Sequence, residues 1–185
     1  YLRIYAVVNL CQIGILAMYI EVVMGRLNLN GLLWYVFIGS LLGGGVFCVS
    51  FIATTPNPIK SLWAFLKNGY KYTVTSAVKK NVPIQFVTAV WEELFWRGGL
   101  QSILSLYSHI YVAISFTAIL FWIAHLHRFK NSVSRMLELL VFSFLLGIIF
   151  EASDSIALCI TIHFIRNILI IVFRSYVLKQ DIELK

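Results

Sequence analysis

The sequence predicts an all-α integral membrane protein: a polytopic bundle of about six transmembrane helices, with one further helix lying in the interface. Three observations predict it. Of the 185 residues, 60% are hydrophobic and 12% charged, about half the charge of an ordinary soluble domain. Six apolar stretches approach or reach the roughly 20 residues that a helix needs to cross a bilayer. The basic residues lie between those stretches and are distributed unevenly. No segment is polar enough for a second globular domain, so the chain divides within one bundle. Residues 1–82 hold two spans and a basic interfacial segment, 83–175 form the membrane core with the candidate catalytic residues, and 176–185 are a cytoplasmic tail.

The expected spans are Ile4–Met24, Gly31–Ala53, Ile84–Leu106, Ile110–His125, Met136–Ala152 and Ile156–Phe173. The first is too long for a signal peptide, and no small-residue cleavage site follows it. In the second, Gly43, Gly44 and Gly45 suit close helix approach or a kink; no strand precedes them as a phosphate-binding loop would require. Between the second and third spans, Pro58–Asn81 alternates Leu62, Trp63, Phe65, Leu66, Tyr70 and Tyr72 with Lys60, Lys67, Lys71, Lys79 and Lys80. Such alternation fits an interfacial helix bounded by Pro56, Pro58 and Pro83, or a solvated connector.

The net charge of +7 raises the question of nucleic acid, but its placement points to headgroups. With a cytoplasmic N-terminus the inner segments hold Arg3, Lys60, Lys67, Lys71, Lys79, Lys80, Arg128, Lys130, Arg135, Arg174, Lys179 and Lys185; the outer ones hold only Arg26. This asymmetry predicts that both termini are cytoplasmic. The turn between the fifth and sixth spans carries Glu151 and Asp154, which the rule weighs little. Cys11, Cys48 and Cys159 sit in apolar stretches without metal-like spacing and read as small buried hydrophobes.

Chemistry is concentrated in polar residues inside apolar helices. An ionised group at bilayer depth costs at least ~2.5 kcal/mol on insertion scales, so it marks a protein interior or a wet cavity. Glu92, Glu93 and Arg97 break the third span, His125 ends the fourth, and His163, Arg166 and Asn167 lie in the sixth. Glu93 and Arg97 share one helix face at salt-bridge spacing, while Glu92 is rotated from them by about 100°. An arginine partner keeps a carboxylate ionised, whereas a carboxylate in a low-dielectric site without one holds protons more readily. Unequal environments of that kind separate a structural carboxylate from one that exchanges protons. Glu92 is therefore the candidate general base, and Glu93–Arg97 alone would also suit a pair that only locks helices together. His163 and Asn167 lie one turn apart on one face and are placed to donate two hydrogen bonds to an oxyanion. Interhelical glue is the alternative for both, and Arg166 lies off that face, free to snorkel or to pair with an acid. His127 begins a basic turn and His109 neighbours Tyr107 and Tyr111, so both read as interface residues.

These pieces, in this order, resemble the CAAX-protease and bacteriocin-processing family of intramembrane endopeptidases, also called the Abi family. Its signature of Glu-Glu-x-x-x-Arg, Phe-x-x-x-His and His-x-x-x-Asn is met by Glu92, Glu93 and Arg97, by Phe121 and His125, and by His163 and Asn167. Gly98 and the run Ala124-His125-Leu126-His127 also fit, and the similarity covers about Pro83 to Phe173. It implies that Glu92 and His125 activate water for attack on a peptide carbonyl, that His163 and Asn167 hold the oxyanion, and that Glu93 and Arg97 support the site. Trp122 stands where many members have Gly and Trp96 where Phe is common, which adds bulk near the cavity and bears on the substrate. The expected partners are a membrane-associated peptide or protein substrate and the lipid bilayer, with no nucleic acid.

Two other readings share these residues. A zinc peptidase would use Glu92, His125 and His163 as ligands with water in the fourth position. However, no His-Glu-x-x-His is present, and Glu/His water activation accounts for every residue without a cofactor. A proton-coupled carrier or an immunity factor would also bury Glu and His, but the chain shows neither inverted repeats nor paired broken helices.

Overall fold

The computed structural model describes residues 31–55, 57–68, 76–126 and 132–183, with positions 10, 12–14, 17, 20 and 21 before them. The expected first span and Arg26, His127, Arg128 and Lys130 thus lie largely or wholly outside the described residues. Among these, every regular element is helical: α1 (Leu32–Thr54), α2 (Pro58–Asn68), α3 (Ser76–Glu93), a π-helical segment (Leu94–Gln101), α4 (Ser102–Tyr107), α5 (Ile110–His125), α6 (Val133–Ser153) and α7 (Ile156–Glu183). Three helical stretches are long and apolar enough to cross a membrane, namely Leu32–Thr54, Val133–Ser153 and Ile156–Val177. The apolar α5 is shorter, at 16 residues or about 24 Å, which falls short of a ~30 Å hydrocarbon core.

Because lipid chains are as apolar as leucine, close packing rather than water exclusion holds such helices together. The most extensive seam is α1 on α7, and two glycines one turn apart bring the helices close there. A Cβ on Gly39 would stand 2.7 Å from Thr161 Cβ, and one on Gly43 would stand 2.9 Å from the Ile162 carbonyl oxygen. Gly44 and Gly45 have nothing within 4 Å of that position. Of the glycine triplet, only Gly43 serves close approach, and its working partner is Gly39.

The third expected span is not one uninterrupted helix. α3 begins at Ser76, runs through Pro83 and gives way at Glu93 to the π-helical segment. Pro83, expected as a boundary, only removes one ladder bond, and α3 continues because it packs along α7. The π turns have a physical cause in the sequence: Gly98 and Gly99 weaken the α-helix just where three polar side chains need partners across the bundle. The widened turn lets Ser102 N–H reach the Arg97 carbonyl, and its hydroxyl donates to the same oxygen at 2.9 Å. Arg97 Nη2 then donates to the Ser143 carbonyl and hydroxyl at 3.1 and 3.0 Å. One turn on, Gln101 Nε2 donates to the Gly147 carbonyl and to Glu151 at 3.0 and 2.9 Å. Both helices advance by four residues between contacts, so the π segment and α6 meet as a polar ladder.

Helix ends are closed locally. Ser132 caps α6, and Asp154 ends it in the left-handed region at φ 50°, which Asp tolerates better than most residues. Ser155 Oγ then accepts from Leu158 N–H to start α7. α7 runs on to Glu183, so most of the expected tail is helical. α2 starts with Pro58 at its first position, where the missing N–H costs nothing. Its inner face inserts Phe65 among Phe47, Phe173 and Tyr176 at ring distances of 5.8, 5.5 and 5.9 Å. Ile59, Trp63 and Leu66 stay exposed on the outer face, the side pattern of an interfacial helix.

Candidate active site

Three elements deliver the candidate residues: the last turn of α3 (Glu92, Glu93), the end of α5 (His125) and the middle of α7 (His163, Asn167). The Glu93 and Arg97 side chains are fully buried, with Oε2 and Nε 3.3 Å apart. That contact is ionic rather than a well-aligned hydrogen bond, and the Arg97 guanidinium also lies over the Phe121 ring, 5.0 Å from its centroid. The other oxygen, Glu93 Oε1, is 2.6 Å from His163 Nδ1. A carboxylate can only accept there, so Nδ1 carries the proton and Nε2 is left for chemistry.

His163 Nε2 is directed to Glu92 Oε2 at 3.7 Å, and His125 Nε2 to Glu92 Oε1 at 3.4 Å. His125 is fixed in the same manner: its Nδ1 lies 2.7 Å from the Phe121 carbonyl, an acceptor that assigns the proton to Nδ1. Phe121 also stacks on the His125 ring at 4.3 Å and meets Trp96 edge-on at 5.7 Å. The phenylalanine four residues before the histidine thus supplies both a wall and a hydrogen-bond anchor. One carboxylate is therefore flanked on each oxygen by an imidazole nitrogen, and each imidazole is held from behind. Glu92 and His125 side chains keep 13% and 10% of their surface exposed, against none for Glu93 and Arg97.

Asn167 is turned to a neighbouring set. Its Nδ2 donates to Gln85 Oε1 at 3.1 Å, and its Oδ1 accepts from Arg166 at 3.2 Å. Gln85 lies two turns before Glu92, and Asn167 one turn after His163, so their bond continues the same α3–α7 seam. Arg166 pairs through Nη2 with both Glu138 oxygens, at 2.6 and 2.7 Å, and Ser50 donates to Glu138. Trp122 faces α6, where its indole donates to the Met136 carbonyl at 2.8 Å, rather than adding bulk at the site. His109 is exposed and stacks on Tyr111 at 5.1 Å. Cys48 and Cys159 are free thiols.

Sequence reasoning missed Gln85, Gln101, Glu138 and Ser143. Glu138 and Gln101 carried the signal used for Glu92, a polar side chain inside an apolar helix; Ser143 carried none. Among the described residues, no group of three or more His, Cys, Asp and Glu has an arrangement able to hold a metal ion.

Fold and site together define an all-α membrane protein with a buried carboxylate–imidazole cluster where three helices meet. Residues 79–169, a segment that contains every candidate residue, match the family model described as Type II CAAX prenyl endopeptidase Rce1-like. No curated protein and no solved structure matches the chain.

Proposed function

We propose that the chain is an intramembrane endopeptidase that hydrolyses a peptide bond in a membrane-associated substrate, lipidated or amphiphilic, with water activated by Glu92 and His125. The observation that carries this reading is the Glu92 carboxylate set between two imidazole Nε2 atoms, at 3.4 and 3.7 Å. Each imidazole is anchored through Nδ1, so its Nε2 is turned to the space in front of Glu92. A water bound there loses its proton to Glu92 with help from His125, and the hydroxide adds to the carbonyl carbon. Developing negative charge on the carbonyl oxygen is met by Asn167, whose carboxamide has a second N–H beyond the one given to Gln85, and by His163, whose Nε2 donates when it carries the proton that Glu92 has taken from water. The C–N bond then breaks, and the proton taken from water passes to the leaving amine. Glu93 orients His163 as the carboxylate of a triad orients its histidine, and Arg97 lies beside Glu93 as its counter-ion.

The site lies among apolar helices, which favours substrates that reach it from the bilayer. Membranes from cells making the active protein are compared by proteomics with membranes from cells making Glu92→Gln. Uncleaved precursors should accumulate only with the variant, and identical peptide inventories would refute the peptidase reading. The chemistry needs no metal. Zinc held tightly by active protein, and required to restore chelated protein, would instead make Glu92, His125 and His163 ligands.

A further inference from the structure

Beside the candidate active site is a second cavity, of about 340 Å³. It lies where the end of α1, the start of α6 and the second half of α7 come together, and it borders the catalytic cluster at Gln85 and Asn167, which line it. Its walls carry three arginines, Arg135, Arg166 and Arg174, against one acid, Glu138. Both Glu138 oxygens are already engaged by Arg166. Arg135 and Arg174 are exposed and have no acidic partner among the described residues. Two like charges facing one small cavity call for an anion, and guanidinium forks suit phosphate oxygens in particular.

What lies next to this cavity indicates the form in which the anion comes. A groove of about 590 Å³ between α1 and α6 shares Ser50 and Glu138 with it. Leu41, Val49, Leu137 and Val141 line the groove and are exposed. Gly45 widens it, since a side chain there would meet nothing within 4 Å. The groove follows α1 from Ala53 to Leu41, about 18 Å of helix, close to the ~15 Å hydrocarbon depth of one leaflet. A cationic cup at the helix ends thus opens into an apolar channel one acyl chain long.

We propose that Arg135 and Arg174 bind the phosphate of an acidic phospholipid whose acyl chain lies in the α1–α6 groove, making a lipid site that adjoins the peptidase site at Asn167. Binding would tie α6 and α7 together beside Asn167 and Gln85. The claim does not depend on peptide cleavage, so its test reads lipid retention and thermal stability rather than activity.

The purified full chain in uncharged detergent is incubated with phosphatidylglycerol, phosphatidylcholine or glycerol 3-phosphate. Native mass spectrometry and melting midpoints are then recorded. Phosphatidylglycerol should be retained and should raise the midpoint by about 3 °C or more, while the other two should not. Arg135→Gln combined with Arg174→Gln should abolish both effects without lowering the lipid-free midpoint, since both side chains are exposed. Gly45→Phe should weaken retention with the arginines intact. Equal retention of phosphatidylcholine, or an unchanged shift in the double arginine variant, would overturn the proposal. So would an equal shift from glycerol 3-phosphate, which would leave a soluble-anion site. An arginine-dependent shift from a lipid-free peptide with a free carboxylate, without one from phosphatidylglycerol, would assign the cup to peptide substrate.

Discussion

Glu92 and Glu93 are sequence neighbours in different surroundings, and their variants should differ accordingly. Glu93 is fully buried between Arg97 and His163. Glu93→Gln leaves a charged arginine without its counter-ion, a loss that in protein interiors runs to about 3–5 kcal/mol. That variant should lose both melting temperature and activity. Glu92 is partly exposed and faces two imidazoles, so Glu92→Gln should melt near the wild-type temperature while turnover falls by ~10²–10⁴-fold, as for removal of a general base. His125→Ala should lose activity by the same order. Melting curves and cleavage rates on one detergent preparation check all three, and a cognate peptide cleaved at the wild-type rate by Glu92→Gln would remove the catalytic assignment. The roles of the two glutamates were readable because i,i+4 spacing to Arg97 singles out Glu93. The partners of Asn167 were not readable, because they depend on Gln85, which lies far away in sequence, and on an Arg166 already committed to Glu138.

At the scale of helices, hydropathy located α1, α5, α6 and the start of α7 to within a few residues, since long apolar runs bounded by polar turns leave little choice, but α7 runs ten residues past the expected Phe173. It did not locate the break after Glu93. A π turn exchanges one hydrogen-bond register for another, and here the exchange is driven by Ser143, Gly147 and Glu151 on α6, which no local pattern reveals. The glycines of α1 give a contrast that can be measured. Gly43→Ala places a methyl group 2.9 Å from a backbone carbonyl of α7; overpacking of this kind typically costs about 1–3 kcal/mol, so the variant should melt lower. Gly44→Ala meets open space and exchanges a poor helix former for the best one, so it should melt at or above the wild-type temperature. The same order in reverse would show that α1 presents another face to α7.

For the molecule as a whole, the structure ties together segments whose sidedness charge alone had to argue. Phe65 of α2 packs on Phe173 and Tyr176 of α7, and Ser134 at the start of α6 donates to the Ala53 carbonyl at the end of α1 at 2.8 Å. The second half of α7, the whole of α2 and the α1–α6 junction therefore share one end of the bundle. Lys60, Lys67, Arg135 and Arg174 all fall there, and short basic segments stay in the cytoplasm. His125 belongs to the same end, since Trp122, less than one turn before it, donates to Met136 near the start of α6. We accordingly expect the catalytic cluster to face the cytoplasmic half of the bilayer. Single cysteines at positions 29, 68 and 132, in a background without Cys11, Cys48 and Cys159, test this with a membrane-impermeant thiol reagent. Position 29 should react in intact cells, and 68 and 132 only after the membrane is opened. Reaction of both 68 and 132 from outside would invert the orientation while preserving the bundle. Labelling from opposite sides would contradict the packing itself, because α2 and the start of α6 cannot be separated without breaking the contacts of Phe65 and Ser134.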